Sequence, residues 1–479
     1  MKPQHYPESP AHLWEHFYRF TQVPRPSGQE AAVRQYVINQ AQAHGCRWQT
    51  DPTGNLVVYV PGSAGREAEG AVIVQNHLDM VTVKTGDKDH DFSRDPLQLR
   101  VEDGWLRADR TTLGADNGVG CAAALALLTD DSVSHPPLEL LFTVEEETGL
   151  GGAVELDAGM LSGSRMLNLD TEDWNELYVG CAGGAGHSLR ARYPLASGAG
   201  LAHFHLNLKG LSGGHSGIQI HQQLGNAIKL LVDFLQGVEG VQLTRLQVGV
   251  AHNVIPREGD AWFACPPAQA AQLQARLDTL VGHWLGYLPP ADSGLVASLG
   301  PAESAAPLSH AHSATVLDLL AVFPHGAQSY NLAQPADLVD LSINLAQVEL
   351  VDGALQIQSS LRFFNYDQSQ PLRRTVESLG RLAGLEVSPE GGYPGWQPDF
   401  DSALLARGKA LHERLFGVVP AVKAIHAGLE CGILKSKKPD VDILSFGPTI
   451  RGAHSPSERL CIDTVAPFWQ LLTALLAEL

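Results

Sequence analysis

The sequence predicts an α/β protein: a mostly parallel sheet covered by helices, interrupted by an inserted α+β domain. Three observations carry this. Residues 71–75 and 138–144 are short, almost purely apolar runs, as expected of strands buried on both faces. Helix-like segments lie between them, as parallel crossovers require. At CAGGAGHS (181–188) the texture changes to alternating polar and apolar residues, and beyond GGYPGWQP (391–398) it changes back.

Residues 10–20 and 29–43 read as helices, the second with apolar residues at Ala32, Val33, Tyr36, Val37 and Ile38. Residues 55–60 and 71–75 read as strands, 120–128 as a small-residue helix, and 138–144 and 166–169 as two further strands. In the middle, 188–193, 203–208, 241–250, 338–347 and 355–363 read as strands, several with the alternation of half-buried ones. Helices are expected at 224–236, 268–280, 314–322 and 372–383. GGYPGWQP then reads as a turn-rich boundary. A helix at 402–415, strands at 422–425 and 443–446, and a terminal helix at 465–477 return to the α/β layer. The expected division is 1–185 and 391–479 as two parts of one α/β domain, with 186–390 inserted between them.

Composition narrows the function. Among 479 residues, 52 are acidic and 33 basic, a net charge of −19. Nucleic-acid binding needs clustered Lys and Arg, so it is not expected. Neither is a polybasic membrane anchor. A charged fraction of only 18% with 44% hydrophobic residues argues against disorder. The six Cys contain no CxxC pair, so no disulfide framework or Cys-type zinc site is expected. The first twenty residues lack a basic segment leading into an apolar one, and no apolar run is long enough to span a bilayer. The expectation is a cytoplasmic protein with reduced thiols.

Five segments place acidic or His residues at strand ends or in loops, where open α/β sheets build sites. NHLDMV (76–81) sets His77 and Asp79 two residues apart, on one side of an extended segment. LGADNGVG (113–120) holds Asp116 among small residues before a helix; it lacks the GxGxxG order of a dinucleotide loop. EEETGLGG (145–152) stacks three carboxylates at a strand end, costly unless cations offset them. NLDTED (168–173) carries Asp170, and GPTIRGAHSP (447–456) carries His454. Singly, each also reads as something ordinary: a surface loop, a helix cap or a solvated acidic turn. Together, His77, Asp116, a Glu of the triplet, Asp170 and His454 form a two-His, three-carboxylate set. That set suits two zinc-like ions with one carboxylate bridging. Two such ions can hold a bridging hydroxide and polarise a carbonyl, with a remaining carboxylate as general base.

These five motifs, with HAGLECG (426–432), resemble the di-zinc metallopeptidases related to carboxypeptidase G and aminoacylase. Within them the chain is most similar to the aminoacyl-histidine dipeptidases, also described as cytosolic non-specific dipeptidases. All motifs occur in order along the whole length. The resemblance implies a zinc-exopeptidase-like fold whose α/β domain is catalytic and whose insert is a lid. It implies that His77 and Asp170 bind one metal and His454 and Glu147 the other, with Asp116 bridging and Asp79 orienting His77. Aligned on Thr148-Gly149, Glu146 takes the place of the base. The family often writes its acidic motif Asp-Glu-Glu, and Glu145 here in the Asp place leaves the base open by one position. LSGGHSG (211–217) resembles the lid segment whose His, here His215, stabilises the oxyanion. HNVIP (252–256) resembles the one whose Asn, here Asn253, contacts substrate. Arg362 is a candidate partner for the substrate carboxylate, and Gly428 and Glu430 lie in a loop the family uses near substrate termini.

The implied activity is hydrolysis of Xaa-His dipeptides such as carnosine, and related dipeptides with free termini. The implied cofactors are two divalent ions, zinc foremost, with cobalt or manganese serving in vitro. An aminotripeptidase, an N-acyl amino acid deacylase and a non-catalytic peptide-binding homologue remain alternatives. The expected partner is a dipeptide, without nucleic acid or membrane, and the protein is expected as a monomer or homodimer.

Overall fold

The computed structural model describes residues 2–331 and 338–479. Its contacts divide the chain into two units. The first comprises Met1–Cys181, Trp396–Ala424 and Leu429–Leu479; the second comprises Ala182–Gly395 and Ile425–Gly428. The return of 425–428 to the second unit is a feature that the three-segment division does not contain.

The first unit is built on an eight-stranded sheet in the order Arg47–Thr50, Leu56–Val60, Leu138–Thr143, Val72–His77, Arg165–Asn168, Asp442–Ser445, Glu176–Cys181, Ala421–Ile425. The centre is parallel, as expected: Val72–His77 pairs in parallel with Leu138–Thr143 and Arg165–Asn168, and Arg165–Asn168 with Asp442–Ser445. The flanks are antiparallel, which makes the sheet mixed. The connection between Arg47–Thr50 and Leu56–Val60 is too short for a helical crossover, so only a hairpin is possible there. Strands Val72–His77 and Leu138–Thr143 are buried at every position, which explains their unbroken apolar runs.

Helix Ala115–Thr129 is buried nearly all round. Its run of Ala and Gly lets it pack between helix Ala11–Gln22 and strand Val72–His77. Helix Ala11–Gln22 turns Leu13, Trp14, Phe17 and Phe20 inward, at helical spacing. The expected start at residue 120 is corrected to Ala115, although Asp116 and Asn117 are themselves non-helical.

The second unit holds a nine-stranded sheet whose registered pairings are all antiparallel. Helices Ala227–Gln236, Ala270–Tyr287 and His310–Val322 share its apolar core. Alternation supplies that core: in Ala354–Phe363 every second residue is buried. One reading is corrected here. Residues 391–393 are not a turn but the end of edge strand Glu386–Tyr393. An edge position tolerates Pro389, because no second neighbour needs its missing N–H. Among the described residues, no helix is long and apolar enough to cross a membrane.

Candidate metal centre

The parallel centre of the first sheet ends in the predicted residues. His77 is the last residue of strand Val72–His77 and is buried. Its Nε2 lies 3.1 Å from Asp116 Oδ1 and 3.2 Å from Asp170 Oδ1. Its Nδ1 lies 3.4 Å from Asp79 Oδ1. Asp170 follows strand Arg165–Asn168 by two residues. Asp116 enters from the start of its helix, and its second oxygen lies 3.3 Å from His454 Nε2. The same nitrogen lies 3.0 Å from Glu147 Oε2.

Three sets of donor atoms lie close enough to share an ion: His77–Asp116–Asp170, Asp116–Glu147–His454 and His77–Glu146–Glu147. All three consist of one imidazole and two carboxylates, and the first two meet at Asp116. This matches the donor chemistry expected of two adjacent divalent cations. Glu147 Oε1 is buried without a hydrogen bond, and Asp170 Oδ1 is buried with His77 Nε2 as its ion-pair neighbour, a donor set suited to a cation.

Electrostatics point the same way. Burial, reinforced by neighbouring carboxylates, pushes Asp170 up to about 7, although His77 pulls the other way. Burial likewise lifts Glu146 well above the usual carboxylate range, with Asp170, Glu147 and Glu430 adding to it. Glu172 is raised to about 8 by burial and by Asp116 and Asp170. Asp116 goes down: His454 and His77 together outweigh its burial. His77 is raised well above its ordinary value because Asp170, Asp116 and Asp79 overcome burial. His454 is raised to about 11 by Asp116 and Glu147. This much crowded negative charge is relieved by added positive charge.

Asp79 is wholly buried. Its carboxylate accepts from Ser27 Oγ at 2.7 Å and from the backbone N–H groups of Glu146 and Glu147, each at 3.1 Å. It therefore ties the acidic triplet to the His77 strand end. Burial opposes its charge, but His77 and these donors hold it at about 2. Glu145 is exposed, with φ 53°, and belongs to none of the three donor sets.

The remaining predicted residues lie in the second unit, with one exception. His215 sits on the short strand Gly214–His215, paired with Val254–Ile255. Its Nδ1 accepts N–H from Gly217 and Ile218, each at 3.1 Å. Those donors leave the proton on Nε2. The Asn253 carbonyl accepts the Ser216 N–H at 2.8 Å, which joins the two predicted lid motifs. Arg362 Nη1 donates to the Tyr393 hydroxyl at 3.0 Å, while its Nε is buried without a partner. Gly428 packs against that tyrosine: a Cβ there would lie 2.6 Å from the hydroxyl oxygen.

The exception is Glu430, which lies in the first unit. It is the first residue of helix Glu430–Lys437 in the first unit, with no exposed surface. One of its carboxylate oxygens accepts from Gln75 Nε2 and from Thr143 Oγ1, each at 2.6 Å. Sequence reading missed Arg25 and Glu458, both buried and bonded around the loops that carry these donors. The only sequence signal is that Glu458 follows His454 by four residues.

Strand ends of a parallel-centred sheet that gather two imidazoles and several carboxylates define a metal-binding hydrolase. The chain belongs to peptidase family M20/M25/M40, whose model matches residues 73–478. It is 38% identical to the cytosol non-specific dipeptidase of Escherichia coli K12, over 98% of each chain. The structure of aminoacylhistidine dipeptidase from Vibrio alginolyticus is 35% identical, with a TM-score of 0.89 over 98% of this chain and 97% of that one. A tripeptidase from Staphylococcus aureus shares the fold at 14% identity, with a TM-score of 0.57 over 98% and 97%.

Proposed function

We propose that this protein is a metal-dependent dipeptidase of the cytosol, cleaving Xaa-His and related dipeptides with free termini. The observation that carries the reading is the pair of matched donor sets meeting at Asp116. On this reading His77 and Asp170 would hold one divalent ion and His454 and Glu147 the other, with Asp116 serving both. Zinc suits this mixture of imidazole and carboxylate. When bound, such ions polarise a peptide carbonyl and acidify water.

The chain's own residues supply the rest. Asp79 orients His77 and fixes the backbone of the triplet. Glu146 stands beside Glu147 and His77 in the third donor set, where it takes a proton from the attacking water and returns it to the leaving amine. Glu145 is exposed and outside the three donor sets, which favours Glu146 as the base. His215, with its proton on Nε2, donates to the oxygen of the reacting carbonyl. Arg362 pairs with the substrate carboxylate, for which a guanidinium fork is the suited partner. Asn253 and Gly428 belong to the same substrate-contacting set.

The test is hydrolysis by protein reconstituted with zinc, cobalt or manganese. The panel contains dipeptides including carnosine, tripeptides and N-acyl amino acids. Cleavage of dipeptides ahead of the other classes is the expected result. Failure on every dipeptide with every metal sinks the reading, and preference for tripeptides or acyl amino acids replaces it.

A further inference from the structure

We infer that Arg25 and Glu458 are positioning residues that clamp the peptide segment 113–116 from opposite sides and so set the spacing of the donors on His77, Asp116 and His454. The inference rests on the metal-site reading above. It concerns residues that hold no ion themselves.

Glu458 is buried, and its carboxylate accepts four consecutive backbone N–H groups. Oε2 takes those of Leu113 at 2.7 Å and Gly114 at 3.0 Å; Oε1 takes those of Ala115 at 2.8 Å and Asp116 at 3.4 Å. A helix start leaves such amides without partners, and here a side chain from far along the chain satisfies them. That chain segment also bears His454, so the carboxylate fixes the His454 loop to the backbone of Asp116.

Arg25 holds the carbonyl side. Its Nη2 donates to the Gly114 carbonyl, and its Nη1 to the carbonyls of Leu78 at 2.9 Å and Asp79 at 2.7 Å. It thereby joins segment 113–116 to the strand end that carries His77 and Asp79. Gly114 has φ +65°, and a Cβ there would lie 2.5 Å from Arg25 Nη2 and 2.7 Å from Met80 Sδ. Glycine is what lets the guanidinium come so close. Two buried side chains of opposite type thus hold one peptide segment, by four of its amides and by the Gly114 carbonyl. A buried charge is retained only with such partners. Removing either leaves three or more backbone groups, beside the donors, without their bonds.

The test uses the full chain loaded with cobalt(II), whose visible absorption reports ligand geometry. Wild type, Glu458→Gln and Arg25→Lys are titrated against a competing chelator. Far-UV circular dichroism and the melting temperature of each metal-free form are recorded alongside. The expected result is cobalt affinity ~10- to 100-fold weaker in both variants, the scale typical when a partner of a ligand is removed. Altered cobalt absorption and metal-free folding like wild type are expected with it. Wild-type affinity and spectrum in either folded variant overturns the inference. So does weakened binding that is matched by loss of the metal-free fold in both variants. If wild type itself fails to bind two cobalt ions, the metal-site reading falls instead, so the two failures are distinguishable.

Discussion

The metal centre and the surroundings of Arg362 treat histidine in opposite ways, whereas elsewhere in the first unit His16, His90 and His135 are lowered by burial. At the metal centre, His77 and His454 are raised, because carboxylates surround them. In the second unit, His215 is lowered to about 4 and His426 to about 3, by burial first and then by Arg362. The first unit gathers negative charge beyond what its histidines neutralise, the signature of a place for cations. The second holds His215 and His426 neutral near a guanidinium.

The strongest way to break the comparison is at Glu146. Glu146→Gln should cut kcat by about 10²- to 10⁴-fold, the range for loss of a general base, while bound metal is unchanged. Metal analysis beside steady-state kinetics checks it. Near-normal turnover would return the base to Glu145 or Glu147 and remove the proton-transfer role from the first unit's crowded carboxylates. Next comes the second unit's donor. His215→Ala should lower kcat by about 10²- to 10³-fold, as for loss of one oxyanion donor, with a smaller change in KM. An unchanged kcat would leave the neutral histidine without a catalytic part.

Much of this contrast is legible in sequence, and the reason is local. His77, Glu147 and Asp170 each sit within a few residues of the end of a buried apolar strand, so pattern alone finds them. Arg25 and Glu458 escape because their roles exist only through backbone groups more than fifty residues away, at 78–79 and 113–116. No period or motif encodes such contacts. The helix start at Glu430 escapes for a related reason: HAGLECG reads as a loop, yet Glu430 begins a helix and accepts from Gln75 and Thr143. In the fold, buried parallel strands announce themselves, whereas strand Glu386–Tyr393, with its Pro389 and paired glycines, is legible only from its neighbour Gly183–Arg192.

A pH experiment sharpens the comparison at a smaller scale. His426 is buried, and its Nε2 lies 2.7 Å from Ser342 Oγ. Its pKa falls from 6.5 to about 3 in the folded chain. The unfolded chain therefore binds a proton near pH 6.5 that the folded one refuses until about pH 3. Stability is untouched above 6.5 and is lost as pH falls from 6.5 toward 3. His426→Gln removes this proton uptake, so its melting temperature should fall less steeply between pH 7 and pH 4. Parallel curves for variant and wild type would mean that His426 is not held neutral by the second unit.

The smallest expected effect concerns how the second unit aims its positive charge. Tyr393 is the hydroxyl partner of Arg362 Nη1, and Gly428 lets that hydroxyl lie against the main chain. Tyr393→Phe keeps the ring and removes only this bond, a change of about 1 kcal/mol. If the bond orients Arg362 toward the substrate carboxylate, KM for a dipeptide should rise roughly fivefold with kcat nearly constant, the rate equivalent of that energy. The same variant acting on a dipeptide amide, which lacks the carboxylate, should show no such rise. An equal rise on both substrates would make Tyr393 a packing residue and would separate the arginine from the anion it is assigned.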